Sequence, residues 1–135
     1  MRVGVAVVLA CALAGCDPGS TLPEPTRNEL FGTYTLRTVD GAPVPAVVFE
    51  EGPRRVELSN GRVTFVVDRT ADYEYNYRVT DANGSRAVRL NDTGSYTVAG
   101  SKITVSWKKE LVEEFQRNDS TVTMFDGALN LSFHK

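Results

Sequence analysis

Residues 73–80 read Tyr73-Glu74-Tyr75-Asn76-Tyr77-Arg78-Val79-Thr80. Aromatic or aliphatic side chains alternate with charged or polar ones along the whole run. A period of two puts Tyr73, Tyr75, Tyr77 and Val79 on one face of a half-buried β-strand. A strand with one apolar face has to bury it against other strands, so the fold depends on what flanks it.

Upstream, residues 54–59 form a short strand with Val56 and Leu58 inward. Asn60-Gly61 then reads as a type I′ hairpin turn, since both central positions of that turn take positive φ. Residues 62–69 return with Val63, Phe65 and Val67 on one face. Downstream, Asp81-Ala82-Asn83-Gly84-Ser85 is a turn and residues 86–90 pair back, with the faces of Ala87, Val88 and Leu90 left open. Asn91-Asp92-Thr93 reads as another turn. A hairpin follows: residues 94–98, the tight connection Ala99-Gly100-Ser101, then residues 102–108 with Ile103, Val105 and Trp107 sharing a face.

The flanks continue this pattern. In Phe31-Gly32-Thr33-Tyr34-Thr35-Leu36-Arg37, Tyr34 and Leu36 share a face, and Asp40-Gly41 is a turn. Residues 42–50 carry Pro43 and Pro45, so their first half is no central strand. Val47-Val48-Phe49 form a short strand before the break Glu51-Gly52-Pro53. Residues 109–119 are ambiguous. Leu111, Val112 and Phe115 stand at helical spacing with Glu113 and Glu114 opposite, while a charged strand or a loop competes. Residues 121–125, the turn Asp126-Gly127 and residues 128–134 make a last hairpin with Leu129, Leu131 and Phe133 inward. This amounts to about eight to ten short antiparallel strands with turn signals every 8–12 residues or so. The expected fold is all-β, an up-and-down antiparallel barrel, because closure removes exposed edges; a β-sandwich is the alternative.

The first sixteen residues are of another kind. Met1-Arg2 is a short basic start, and residues 3–13 hold almost only Val, Ala, Leu and Gly, a run too short to span a bilayer. Leu13-Ala14-Gly15-Cys16 resembles the lipobox of bacterial lipoproteins, in which the Cys becomes the lipidated N-terminus. The resemblance implies a signal peptide over residues 1–15 and an exported protein anchored to a bacterial membrane by a lipid on Cys16. Cys11 would leave with the signal and Cys16 would be acylated, so no disulfide could form. Acyl chains contribute about 0.8 kcal/mol per buried methylene, and two or three on one site anchor stably. Asp17 follows the Cys, a retention signal for the inner membrane in some bacteria only, so inner and outer membrane both stay open. Residues 16–29, with Pro18, Pro23 and Pro25, read as an extended tether. Residues 30–135 are then the single domain.

That domain resembles the small lipocalin-like lipoproteins of bacteria. They begin past the tether with a Gly-x-[Trp/Tyr]-x-Leu strand, an Asn/Asp-Gly turn and a Pro-containing segment. Gly32-Thr33-Tyr34-Thr35-Leu36, Asp40-Gly41 and Pro43-Val44-Pro45 stand in those places. Gly94-Ser95-Tyr96, Gly100, Ile103-Thr104-Val105 and the closing Asp126-Gly127-Ala128-Leu129-Asn130-Leu131 match the later hairpins. True lipocalins carry Trp where Tyr34 stands. The resemblance implies a small barrel that binds a hydrophobic or amphipathic ligand, and its motifs speak to fold more than to activity.

The chemistry is sparse. Removing Arg2 with the signal leaves 14 Lys and Arg against 17 Asp and Glu, a formal charge of −3 that gives no electrostatic case for nucleic acid. The only His, His134, stands near the C-terminus without His or Cys partners for a metal. No GxSxG, HExxH, CxxC or P-loop pattern occurs, so the sequence predicts no enzyme and no cofactor. Asp81-Ala82-Asn83-Gly84 opens like a calcium loop, but the later carboxylate is missing. Glu113-Glu114, Asp68, Asp72 and Glu74 are carboxylates that sequence alone cannot bring together. The candidate ligand-binding residues are Tyr34, Tyr73, Tyr75, Tyr77, Tyr96 and Trp107, whose rings would line a barrel and whose polar tips would orient a ligand. The competing reading has the same rings filling the barrel, with its outer face or residues 109–119 meeting another envelope protein.

Overall fold

A computed structural model describes residues 30–109 and 111–135. The lipobox, Cys16 and the tether lie outside the described residues. Ten strands follow in chain order: β1 (Gly32–Val39), β2 (Ala42–Pro43), β3 (Ala46–Glu51), β4 (Arg54–Phe65), β5 (Thr70–Asp81), β6 (Gly84–Ala99), β7 (Lys102–Trp107), β8 (Val112–Asn118), β9 (Thr121–Phe125) and β10 (Asn130–His134). From β3 to β10 each strand pairs antiparallel with the next, as short hairpin connections dictate. β1 then joins β10 along Thr35–Val39 and β4 along Gly32–Thr35, for instance Tyr34 opposite Val63. That double engagement of β1 closes β1 and β4–β10 into an eight-stranded up-and-down barrel. A sandwich would have left two separate sheets.

Closure buries the inward faces that the period of two marked out. Tyr34, Val63, Ile103, Val105, Phe115, Val122 and Phe133 have no accessible surface, and Leu36, Leu58 and Phe65 have almost none. Packing of this density, with large rings interdigitated, is what holds together a domain of this size.

The structure corrects three local expectations and settles the alternative left open over residues 109–119. Asn60-Gly61 is no turn, because β4 runs straight through it with a register shift between Leu58 and Asn60. The bulge changes the phase of the alternation, so Leu58 before it and Gly61, Val63 and Phe65 after it all face inward. Gly61 lies opposite Tyr75, and a Cβ there would stand 2.6 Å from the Tyr75 ring, so the glycine makes room for an aromatic. Asn91-Asp92-Thr93 is no turn either but part of the sixteen-residue β6. The Asp92 carboxylate accepts from Thr93 N (2.8 Å) and Lys109 N (3.0 Å), tying down a neighbouring turn rather than bending its own strand. Val67 leaves the core because β4 ends at Phe65, and it sits exposed in the connection to β5. Residues 112–118 settle as strand, with Phe115 buried, Glu113 half-buried and Val112 and Glu114 exposed, so the period is two and not helical.

Strand lengths give the barrel two unlike ends. β4 and β5 have twelve residues each and β6 has sixteen, whereas β7 to β10 have five to seven. Residues 84–93 of β6 pair only with β5, and β7 joins β6 first at Gly94. One wall therefore overshoots the other. The base holds Leu30, Lys135 and the turns at 66–69, 99–101 and 119–120. The mouth holds the turns at 40–41 and 126–129, with Lys108, Lys109 and Leu111, beneath the overhanging β3–β6 ribbon.

Candidate functional site

The six aromatic candidates divide between the two ends. Tyr34 and Tyr96 belong to the base. Phe65 stands edge-on to Tyr34 (5.9 Å between ring centres), Tyr96 (5.2 Å) and Phe115 (5.7 Å), a geometry in which positive ring edges meet negative faces. The Tyr34 hydroxyl donates to Leu30 O at 2.9 Å and the Tyr96 hydroxyl to Val66 O at 2.7 Å. Both phenols thus pin chain segments across the base, and the rings fill the barrel there.

Tyr73, Tyr75, Tyr77 and Trp107 belong to the mouth. The first three line the inner face of β5, where alternate residues point inward. Tyr75 packs between Tyr73 (5.0 Å), Tyr77 (6.4 Å) and Phe133 (6.3 Å). Trp107 ends β7 opposite Gly94, edge-on to Tyr73 at 4.7 Å. Its indole Nε1–H donates to Glu113 Oε2 at 2.7 Å. Tyr75 is only 7% exposed, and its hydroxyl is buried with no hydrogen-bond partner among the described residues. Buried hydroxyls are normally satisfied, because leaving one bare costs about 1–3 kcal/mol. This one is a donor and acceptor held ready in an aromatic wall.

Two carboxylates that the aromatic reading passed over complete the mouth. The β8–β9 ladder ends at Phe115 opposite Met124, and Glu113 and Asp126 lie just beyond it, where both line one cleft. Asp126 Oδ1 accepts from Ala128 N (2.9 Å) and Leu129 N (2.7 Å), which shapes the turn into β10. Burial pushes the Glu113 carboxyl up, the Trp107 N–H draws it back and the Asp126 charge raises it again. Burial also pushes the Tyr75 phenol well up, and the Glu113 charge is the next contribution. Tyr73 and Tyr77 are raised by burial first as well, with Glu113 and either Asp92 or Asp126 adding to it. These shared influences place the tyrosines and both carboxylates within one electrostatic neighbourhood.

A cleft of about 410 Å³ opens there, lined by Leu111, Val112, Glu113, Glu114, Phe125 and Asp126. Leu111, Val112 and Phe125 are 53%, 61% and 68% exposed, an apolar rim beside carboxylates. A second cleft of about 290 Å³ beside β4–β6 includes Arg62, Tyr73, Glu74, Asp92 and Lys109. Most of its charges are engaged: Glu74 pairs with Arg62 (3.3 Å) and with Arg89, and Lys109 Nζ donates to Asn91 O (2.9 Å).

The remaining sequence candidates stay apart. Glu114 lines the first cleft from the outer face, paired with Lys102 at 3.2 Å, and Asp68 serves the turn before β5 through Thr70 N at 3.0 Å. Asp81 pairs with Arg86 at 2.9 Å and accepts from Asn83 N at 2.8 Å, a hairpin turn. His134 is exposed at the end of β10. Among the described residues no group of three or more His, Cys, Asp or Glu is placed to hold a metal, and no helix is long and apolar enough to cross a membrane. No protein-family model matches the chain, and no curated protein matches it either. The fold and the geometry of the mouth therefore carry the functional reading.

Proposed function

We propose that the protein is an exported, non-enzymatic lipoprotein of the cell envelope. It is anchored to a bacterial membrane through a lipid on Cys16, and its barrel binds a small hydrophobic or amphipathic ligand at the mouth. The observation that carries the binding reading is the Tyr75 hydroxyl, buried within an aromatic wall and without a hydrogen-bond partner among the described residues. A filled base supports binding at the mouth rather than in a deep calyx, and the rings supply apolar contact while the hydroxyl orients a polar head. Leu30 lies at the base, so the tether would enter at the end away from the mouth and leave the mouth facing the surrounding compartment.

Trp107, the single tryptophan of the chain, reports on the site directly. Decyldimethylphosphine oxide is an uncharged amphiphile with a strong acceptor oxygen. Titrated below its micelle concentration, it is expected to change Trp107 emission saturably, and Tyr75→Phe is expected to weaken its binding about five- to tenfold, the loss of one hydrogen bond of about 1–1.5 kcal/mol. No saturable change in emission would remove the binding reading.

The anchor has its own test. Cys16→Ser should abolish labelling of the protein by radioactive palmitate and release it from the membrane fraction. A variant that still labels and still sediments with membranes contradicts the lipobox.

The alternative, a filled barrel that serves as an envelope interaction module, draws on the edge of β6 at residues 84–90, where among the described residues β5 is the one strand paired with it. The orphaned hydroxyl at the mouth favours a small ligand.

A further inference from the structure

The wall that overshoots the barrel carries an edge that no strand among the described residues covers. β6 meets β7 from Gly94 onward, and the two outward carbonyls before it, Thr93 O and Asn91 O, are held by Lys108 N and Lys109 Nζ, each at 2.9 Å. Both carbonyls point away from β5, whereas Tyr96 N, of the opposite parity, donates to Arg69 O beside β5. The β5–β6 register runs from Thr70 opposite Ser95 to Asp81 opposite Gly84 without a shift, so this alternation holds up to the hairpin tip. Ser85, Ala87 and Arg89 therefore turn N–H and C=O to the open side. Such a row is a template for a further strand. β3, the far edge of the same ribbon, is blunted: it has six residues, a bulge between Val47 and Phe49, Pro45 before it and Pro53 after it. Residues 84–90 have no proline and no bulge, and their two cations are neutralised within the sheet, Arg86 by Asp81 and Arg89 by Glu74.

The edge is complementary to itself. Set antiparallel about Ala87, two copies place Ala87 opposite Ala87, Ser85 opposite Arg89, Arg86 opposite Val88 and Gly84 opposite Leu90. The three outward-facing residues then all fall at hydrogen-bonded pairs, with two backbone bonds to each pair. No cation stands directly across from another, and every bulky side chain meets a smaller one. Leu90, 45% exposed on the inner face, covers Gly84 of the second copy, and the Arg86 stem covers its Val88. A foreign strand would have to supply this complement of size and charge, and a second copy carries it. We infer that the protein pairs with a second copy of itself through residues 84–90 of β6, joining the two ribbons into one antiparallel sheet. This pairing rests on the edge behind the interaction reading above and gives it a definite partner, while ligand binding at the mouth holds or fails without it.

A ladder of this length is a small interface, so the test traps it covalently. The full chain carries Cys11→Ser and Cys16→Ser, which makes an introduced cysteine its only thiol. The purified protein is treated with a short thiol–thiol crosslinker and read on a non-reducing gel. Ala87→Cys should form dimer at least about tenfold faster than Val47→Cys on the β3 edge, because hydrogen-bonded partners stand about 5.5 Å apart. Ser85→Cys and Arg89→Cys should each stay monomeric alone and crosslink when mixed, as the antiparallel register about Ala87 requires. Ala87→Pro removes one outward N–H at an edge position where proline is tolerated. Added to the mixed pair, it should abolish the crosslink and leave the melting temperature unchanged. A crosslink at position 87 no faster than at position 47 overturns the self-pairing and leaves the edge to a strand of another protein. Self-crosslinking of Ser85→Cys or of Arg89→Cys, or a mixed crosslink that survives the proline, overturns it as well. None of these outcomes bears on the amphiphile titration, which follows Trp107 at the mouth.

Discussion

Phe65→Ala is expected to lower the unfolding free energy by about 3–5 kcal/mol, read as a shift of the denaturant midpoint with little change in slope. Phe65 is 1% exposed and is the hub of the base, edge-on to Tyr34, Tyr96 and Phe115 at once. It is also the last residue of β4, paired with Gly32 where β1 closes the barrel. Truncation leaves a cavity between three rings whose hydroxyls or strands hold them in place, so the hole cannot collapse. Domains of this kind hold only about 5–15 kcal/mol in total, so the variant should sit near its unfolding threshold at room temperature. Phe125→Ala is the contrast. That ring is 68% exposed at the rim, and its loss should fall within about 0.5 kcal/mol. Equal losses at the two positions would mean that the base is not the packed core described above.

Gly94→Ala is expected to cost about 3 kcal/mol or more and to leave little folded protein in a soluble fraction. A Cβ at position 94 would stand 2.2 Å from Ser106 O and 3.0 Å from the Trp107 Cα, and all of these contacts are backbone. No rotamer relieves them, so β6 and β7 would have to part at the point where β7 begins to complete the wall. At Gly61 the nearest atom is the side-chain Tyr75 Cδ1 at 2.6 Å, with Leu36 Cδ2 behind it. A ring can turn aside where a carbonyl cannot, so position 61 should tolerate alanine better than position 94. Equal tolerance at the two sites, measured by thermal melting, would contradict the close approach of β6 and β7.

The barrel was legible because alternation is a local signal. Tyr73 to Val79, Ile103 to Trp107 and Leu129 to Phe133 each announce a strand with one buried face. Positive φ at Asp40, Gly41, Gly84, Gly100 and Gly127 also bears out turns readable from residue type alone. The strands at β4 and β6 were under-read for one reason. Asn60-Gly61 and Asn91-Asp92-Thr93 carry turn chemistry, yet they serve tertiary needs, room for the Tyr75 ring in one case and an anchor for Lys109 in the other. Such needs exist only once strands far apart in sequence have met, and no short window contains them.

The candidate site was half legible. The aromatic residues could be listed from composition and period, but only closure separates Tyr34 and Tyr96 at the base from Tyr73, Tyr75, Tyr77 and Trp107 at the mouth. Glu113 was obscured by the choice between helix and strand over residues 109–119, because only a period of two turns it inward and Glu114 outward. Asp126 read as a turn residue, which it is. That it lines one cleft with Glu113 follows from the meeting of β8 and β9, a long-range fact.

The opposing effects of one hydroxyl test the central claim most directly. Tyr75→Phe removes a buried group that has no partner among the described residues, so the ligand-free variant should be more stable than the parent by about 1 kcal/mol, the low end of what an unsatisfied hydroxyl costs. The decisive measurement is the denaturant midpoint of both proteins with and without decyldimethylphosphine oxide. The variant should start higher and gain less from the amphiphile, because ligand stabilisation follows affinity for the folded state. A variant less stable than the parent, or one that gains just as much from the amphiphile, would show that the Tyr75 hydroxyl serves the fold and not a ligand.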